Sequence, residues 1–403
     1  MTTTHSKLQC GSASPLHEGK PNPPVLNFVG GLVRLMGFPR LTVEAVGELM
    51  LLGMWEQGLI VKDPRSRPRT SLNAASKPMQ LHQCFDPREV GEWDKTRFQK
   101  VRELMEAPRN HGRVDLMLDT VSQELVAVKK MPNFWVGACH EDFVAKYPYE
   151  SEVPWRDFGC TRYLTEAGYA EVLNLRGIYK DPKFTYVVSD FATVGDLCSW
   201  RSYAMHMTGM EAEFSLRPLA IQICEAVRDL HDLGIVHRDL SLENILLCHS
   251  SSMQPEEGLE VKIIDFAMAS LQRWSNHGVA GKLCYLAPDV HVAKGDSDGF
   301  LLDAYAVGII LLVLLTGEYP WRSTKPGECF GYELFRLRGL RAVLQGRAHD
   351  DRISISEPLM CVLEGLLATD PSKRLTLGEH DFDIERRTVW DEPWMRVDED
   401  EDD

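Results

Sequence analysis

The segment His237-Arg238-Asp239-Leu240-Ser241-Leu242-Glu243-Asn244 constrains this chain more than any other. Upstream of it, Leu219, Ile223, Val227 and Leu230 recur at helical spacing, and Gly234 stops that helix just before His237. Downstream, the apolar run Ile245-Leu246-Leu247 reads as a buried strand. Between the two stand a carboxylate, Asp239, and an amide, Asn244, in one short loop. A carboxylate so placed can orient a hydroxyl and take its proton, and an amide oxygen beside it can ligate a hard cation. A lone His-Arg-Asp triplet is most often surface charge, so the rest of the chain must supply the context.

The chain has 403 residues, enough for two or three packed units with substantial cores. It is 44% hydrophobic and 26% charged, the profile of a soluble globular protein. The net charge of −15 argues against nucleic acid as a partner, because phosphate binding needs a basic surface. Acidic clefts favour basic peptides instead. The 10 cysteines include no Cys-x-x-Cys pair. They read as reduced thiols of a cytoplasmic or nuclear protein, and as neither a zinc site nor a disulfide framework. The first residues lead into polar sequence with no apolar run and residue 2 is Thr, so neither a signal peptide nor N-myristoylation is expected. The apolar run 304–315 is too short to span a bilayer and reads as a buried helix, so no transmembrane segment is expected.

Residues 1–24 are rich in Pro, Ser, Thr and Gly and are expected to be disordered. Apolar residues dominate 25–61, with Thr42 as a candidate helix cap. This segment reads as a helical extension packed on the main domain, with a partner- or membrane-docking element as the alternative. Residues 62–84 form a basic linker. Residues 85–390 form the main domain, strand-like over about 95–190 and helical over about 191–390. Residues 391–403 read as a solvated acidic tail. There is no internal repeat.

Four further motifs stand in order around the Asp239 loop. They are Val126-Ala127-Val128-Lys129, Ile263-Ile264-Asp265-Phe266-Ala267, Leu286-Ala287-Pro288-Asp289 and Asp303-Ala-Tyr-Ala-Val-Gly308. Together with His237 to Asn244 they resemble the protein kinases, over roughly residues 98–387. The resemblance implies an α+β, bilobal fold with a β-rich small lobe, a helical large lobe and, here, an N-terminal helical extension. It implies Mg²⁺-dependent transfer of the ATP γ-phosphate to Ser/Thr of a protein substrate. In that reading Asp239 orients the acceptor hydroxyl and takes its proton, Asn244 and Asp265 hold Mg²⁺, and Lys129 contacts the α- and β-phosphates. The adenine lies between Ala127 and Val114 on one side and Leu246 on the other. The backbone of Asp190 and Ala192 meets its edge, and Ser189 holds the gatekeeper position. Asp289 is expected to pair with Arg374, and Asp303 to anchor the catalytic-loop backbone.

The chain also departs from the family pattern. The Gly-rich loop falls on Ala107-Pro-Arg-Asn-His-Gly-Arg-Val114, where only Gly112 survives. Pro108 removes a backbone donor, and Arg109 brings a side chain that can itself contact phosphate. A stiffer lid with weaker ATP affinity is expected. Ala267 replaces the Gly of Asp-Phe-Gly. Register gives Asp157 as the partner of Lys129, with Glu150 and Glu152 as rivals. Ser241 stands where Ser/Thr kinases carry Lys, and Lys282 where they carry Thr. Either Lys282 delivers the missing cation beside Asp239, or these are two unrelated losses. Glu243 before Asn244 fits the Ser/Thr form. With Asp196 it stands where acids bind an Arg upstream of the acceptor; the alternative is a ribose contact plus a surface charge. Thr70, with Arg67 before it, is a candidate autophosphorylation or pseudosubstrate site in what is otherwise a solvated linker. Arg238 implies control by a phosphate on the activation segment, whose hydroxyls are Ser270 and Ser275; constitutive activity is the alternative. The rival from another class is a pseudokinase scaffold, favoured by the damaged lid and opposed by retention of Lys129, Asp239, Asn244 and Asp265.

Overall fold

The computed structural model describes residues 78–203, 209–249, 258–276, 279–292, 295–346 and 355–396. The expectations for residues 1–77, including the N-terminal disorder, the helical extension and Thr70, lie outside the described residues, as does the acidic end 397–403.

Six strands build the small lobe: β1 (Gly91–Glu92), β2 (Phe98–Ala107), β3 (Gly112–Asp119), β4 (Glu124–Pro132), β5 (Leu175–Lys180) and β6 (Phe184–Asp190). Their order is β1-β5-β6-β4-β3-β2. β1 joins β5 in parallel, and the other pairings are antiparallel. Alternation along β4 sorts its residues to two faces. Val126 and Val128 are fully buried against Phe98, Met117 and Tyr186. Ala127, Lys129 and Met131 therefore share the opposite face, where Met131 packs with Phe85, Trp135 and Phe158.

Between β4 and the main small-lobe helix run two short helices, α1 (Asn133–Val136) and α2 (His140–Lys146). They occupy the long connection and bury Trp135, Val136 and Phe143. Helix α3 (Pro154–Ala167) follows, opened by Pro154 in its first turn and closed by Gly168 at φ 74. Residues 81–84, placed in the linker on sequence grounds, form a short 3-10 turn against α3. The approach is so close that a Cβ on Gly159 would lie 1.9 Å from the Leu81 carbonyl oxygen.

The large lobe comprises α4 (Leu197–Tyr203), α5 (Met210–Asp232), α6 (Asp289–Val292), α7 (Gly299–Thr316), α8 (Phe330–Gln345) and α9 (Glu357–Leu366), with a small sheet of β7 (Gly195–Asp196), β8 (Ile245–His249) and β9 (Leu259–Ile263). Leu219, Ile223, Val227 and Leu230 lie on the buried face of α5, as their spacing predicts. Helix α7 is long and apolar enough to cross a membrane by length and composition. It is instead the centre of the lobe, with Ala304, Tyr305, Val307, Ile309 and Ile310 fully buried. The domain also runs past residue 390. Trp394 and Met395 pack into the large-lobe core. The acidic neighbours that disguise this segment are used structurally: Asp391 completes a capping box with Thr388, and Glu392 pairs with Arg387.

Candidate active site

The Asp239 loop is held from beneath by α7. Asp303 is buried and accepts the backbone N–H groups of His237 (2.7 Å) and Arg238 (2.9 Å). His231, near the end of α5, lies between Asp303 (3.1 Å) and Glu379 (2.7 Å) and stacks on Phe300. Burial opposes a charge on this imidazole, yet its two carboxylate partners outweigh burial and raise its pKa to about 9. His237 accepts from the Asp239 N–H at Nδ1 (3.2 Å) and donates from Nε2 to the Ile264 carbonyl (3.0 Å). It thereby ties the loop to the segment that carries Asp265.

Asn244 donates its amide to the Asp239 carbonyl (2.7 Å) and to Asp239 Oδ2 (3.3 Å), leaving its own oxygen as a ligand atom. Asp265 has a left-handed backbone, φ 67 and ψ 70. Oδ1 of Asp239 and Oδ1 of Asp265 are both buried and accept no hydrogen bond. The next residues, Phe266–Met268, form a right-handed 3-10 turn, so Ala267 fits there without the freedom of glycine.

Strand alternation turns Lys129 toward α3. Its Nζ lies 3.4 Å from Asp157 Oδ2 and 3.7 Å from Asp265 Oδ1. Of the three candidate carboxylates, Asp157 is the one in contact. Its Oδ1 also accepts the Phe266 N–H at 2.9 Å, so one side chain couples α3, Lys129 and the Asp265 segment. The Ala267 carbonyl accepts from Val153 N (3.1 Å) and Arg156 Nη1 (3.2 Å). Burial works against the charge of Lys129, but Asp265, Asp157 and Glu152 outweigh it and the pKa rises. Burial also opposes the charge of Asp265, but Lys129 and Arg109 hold that carboxyl below its ordinary value. The more enclosed Asp157 is raised by burial.

Of the residues expected to line the adenine, Val114 pairs with Lys129 across β3 and β4, and Ala127 pairs with Ser189 of β6. The Asp190 N–H is committed to the Asn174 carbonyl (3.1 Å), and Asp190 pairs with Val126 across β6 and β4. The Asp190 carboxylate is held by Asn174 (2.7 Å) and Arg176 (2.5 Å). Ala192 is buried, and Leu246 pairs with Asp196 between β8 and β7. Gly112 has a packing reason to be glycine, because a Cβ there would lie 2.0 Å from the Lys130 carbonyl oxygen.

Lys282 and Ser241, the two positions with exchanged chemistry, touch. Lys282 Nζ is 2.7 Å from Ser241 Oγ and 2.7 Å from Glu243 Oε2. Burial raises the Glu243 carboxyl, but Lys282 outweighs that and leaves it below its ordinary value. Gly281 precedes Lys282 at φ 87, where a Cβ would stand 2.8 Å from the Arg238 carbonyl oxygen and 3.1 Å from Asp239 Oδ1. Asp196 caps Ser199 N (2.6 Å). An Arg arriving upstream of the acceptor would have to displace Lys282 from Glu243. Arg374, fully buried, donates to Asp289 Oδ1 at 2.6 Å as expected.

Two contributors escaped the sequence reading. His231 has no motif, and its place in the last turn of α5 reads as an ordinary terminal cation. Arg156 lies on α3 beside Asp157 and belongs to no motif; burial followed by the proximity of Arg238 lowers its pKa to about 10. Gly281, which with Tyr285 fits the Ser/Thr form in sequence, has a tertiary reason as well, because a Cβ there would meet Asp239.

Comparison with known proteins agrees with this geometry. A family model described as protein kinase domain matches residues 110–394, more than half of the chain. Serine/threonine-protein kinase RAD53 of Saccharomyces cerevisiae is 28% identical over 255 residues, covering 59% of this chain and 28% of that protein. Ribosomal protein S6 kinase alpha-4 of Homo sapiens is 33% identical over 218 residues, covering 52% of this chain and 26% of that protein. Serine/threonine-protein kinase SAPK3 of Oryza sativa is 26% identical over 285 residues, covering 70% and 75%. The match thus spans about a quarter of the length of the first two relatives and three quarters of the third. With an ordered five-motif series, a bilobal fold and a family match across the domain, the chain belongs to the protein kinase domain family.

Proposed function

We propose that this chain is an active protein kinase that transfers the γ-phosphate of ATP to Ser or Thr of a protein substrate. The observation that carries the proposal is the convergence of Asp239, Asn244, Asp265 and Lys129 on one cleft with the Lys129–Asp157 pair formed. A scaffold has no need of this assembly.

The residues fit Mg²⁺. Among the described residues no group of three or more His, Cys, Asp or Glu gathers into a metal cage. The oxygens of Asp265 and Asn244 form the sparse, hard donor set that suits a Mg²⁺ shared with phosphates, and Asp265 Oδ1 is buried without a hydrogen bond. Bound there, the ion supplies charge neutralisation at the phosphate oxygens. Asp239 orients the acceptor hydroxyl and takes its proton, and the amide of Asn244 fixes the Asp239 carboxylate. Lys129 provides a point charge for the phosphates. Lys282 brings an ammonium to the Ser241 side of the loop and takes the part of the missing cation. Specificity for Ser/Thr is supported by Glu243 before Asn244, by Gly281 and Tyr285, and by the names of the relatives.

The test is labelled phosphate transfer from ATP with Mg²⁺ to a generic protein acceptor, followed by phosphoamino-acid analysis. Phosphoserine or phosphothreonine is expected. Phosphotyrosine alone contradicts the specificity, and no transfer with any acceptor leaves the pseudokinase reading.

A further inference from the structure

The turn between β2 and β3 is poor in the backbone donors that a phosphate-covering lid uses. Pro108 has no N–H, and Pro108–Asn110 curl into a 3-10 turn that closes on His111 at φ 52. The turn is pinned immediately afterwards by the close approach of Gly112 to Lys130. Its Arg109 reaches inward. Arg109 Nη1 lies 2.5 Å from Glu152 Oε1 and 3.3 Å from Asp239 Oδ2. One guanidinium therefore bridges a small-lobe carboxylate and the proposed catalytic base of the large lobe.

Glu152 stands just before the N-cap of α3 and is only 5% exposed. Its second oxygen, Oε2, is buried and accepts no hydrogen bond. A buried carboxylate with one oxygen given wholly to an arginine is a holder for that arginine. Asp239 is the weaker partner, at the longer distance. It is also the group that a substrate hydroxyl must approach.

We propose that Arg109 is the phosphate-binding residue of the lid. On nucleotide binding its guanidinium keeps Glu152 and exchanges Asp239 for the terminal phosphates of ATP. The inference rests on the kinase reading above. A guanidinium has five donors in a planar fork, enough to hold one carboxylate and a phosphate together. A polyphosphate carries more negative charge than the single carboxylate it displaces. The exchange supplies by side chain what the turn lacks in backbone donors, and it leaves Asp239 Oδ2 with its Asn244 bond alone when nucleotide is present. Arg109 thus contacts substrate, and Glu152 is its positioning residue.

The experiment titrates the full chain with Mg²⁺-ATP, Mg²⁺-ADP and adenosine by calorimetry, for wild type, Arg109→Ala, Arg109→Lys, Glu152→Gln and the Arg109→Ala/Glu152→Gln double variant. Arg109→Ala is expected to weaken ATP by about tenfold or more, as for loss of a charge-assisted hydrogen bond, with adenosine unchanged. Arg109→Lys should fall between. Glu152→Gln should weaken ATP less than Arg109→Ala and add nothing to it in the double variant, because both act on one contact. A Glu152 with a merely structural role would give additive losses and would weaken adenosine as well. Wild-type affinity for ATP in Arg109→Ala overturns the inference while leaving the kinase reading intact. Faster phosphate transfer by Arg109→Ala at unchanged affinity overturns it in favour of a blocking arginine. A wild-type chain that binds no ATP overturns the kinase reading and this inference together.

Discussion

Lys282 Nζ donates to Ser241 Oγ at 2.7 Å, so a lysine and a hydroxyl that sit 41 residues apart in sequence meet beside the proposed catalytic base. The same ammonium holds Glu243 at 2.7 Å. The resemblance to Ser/Thr kinases puts the lysine on the other of these two positions. Under the proposed exchange one cation and one hydroxyl stay at the site while the loop that carries each changes. Lys282→Met should lower the rate of phosphate transfer by about a hundredfold, the scale for removing one aimed charge donor, with little change in ATP affinity. The double variant Ser241→Lys/Lys282→Thr should recover part of that loss. Steady-state kinetics decide it, and an unaffected rate in Lys282→Met contradicts the exchange.

Ala267 lies in a right-handed turn and its carbonyl accepts two hydrogen bonds from the start of α3. Ala267→Gly should keep activity and reduce stability by roughly 0.4–1 kcal/mol, because glycine enlarges the unfolded ensemble. Gly281 is the opposite case. Gly281→Ala forces a side chain into a left-handed backbone and against Asp239, and should cost about 1–3 kcal/mol together with most of the activity. Denaturant midpoints and transfer rates on the two variants separate these outcomes.

The buried His231 gives stability a pH dependence of known sign. Its pKa is about 9 in the folded chain against an ordinary 6.5. Its ion pairs with Asp303 and Glu379 contribute fully below pH 6.5, and the contribution is lost as pH rises through about 9. The difference corresponds to roughly 3 kcal/mol. Chemical unfolding from about pH 6 to about pH 10 should show wild type losing stability over that window and His231→Gln, already less stable at neutral pH, losing less.

Arg374 is fully buried and bound to Asp289 and to the Leu301 carbonyl. Arg374→Ala removes a fully buried guanidinium, leaves the half-buried Asp289 carboxylate and the Leu301 carbonyl without it, and should destabilise the large lobe by about 3 kcal/mol. Thermal unfolding reads the loss directly, and a melting temperature equal to wild type contradicts the assignment.

Much of this architecture was legible in the sequence, for identifiable reasons. The helical period of Leu219, Ile223, Val227 and Leu230 and the stop at Gly234 placed the Asp239 loop, and strand alternation around Lys129 set the side of the sheet it faces. Asp157 was found by helix register, since Pro154 fixes where α3 begins. What stayed hidden depends on contacts between distant segments. Glu152 was weighed as a partner for Lys129, but the structure gives its carboxylate to Arg109, a pairing that exists only once the lid has folded over α3. Leu81 and Trp394 were assigned to linker and tail because polar neighbours masked them, although both are buried. The apolar run 304–315 read as a buried helix because it is short; the helix extends that run to Gly299–Thr316, and its packing inside the large lobe agrees with the reading.

The most direct test of the account compares labelled phosphate transfer from ATP to a protein acceptor by wild type and by Asp239→Asn, each at matched concentration with Mg²⁺. The account predicts transfer by wild type that falls by several orders of magnitude in the variant, with ATP binding retained by both. Transfer that is equal in the two proteins, or absent from both, would contradict Asp239 as the catalytic base.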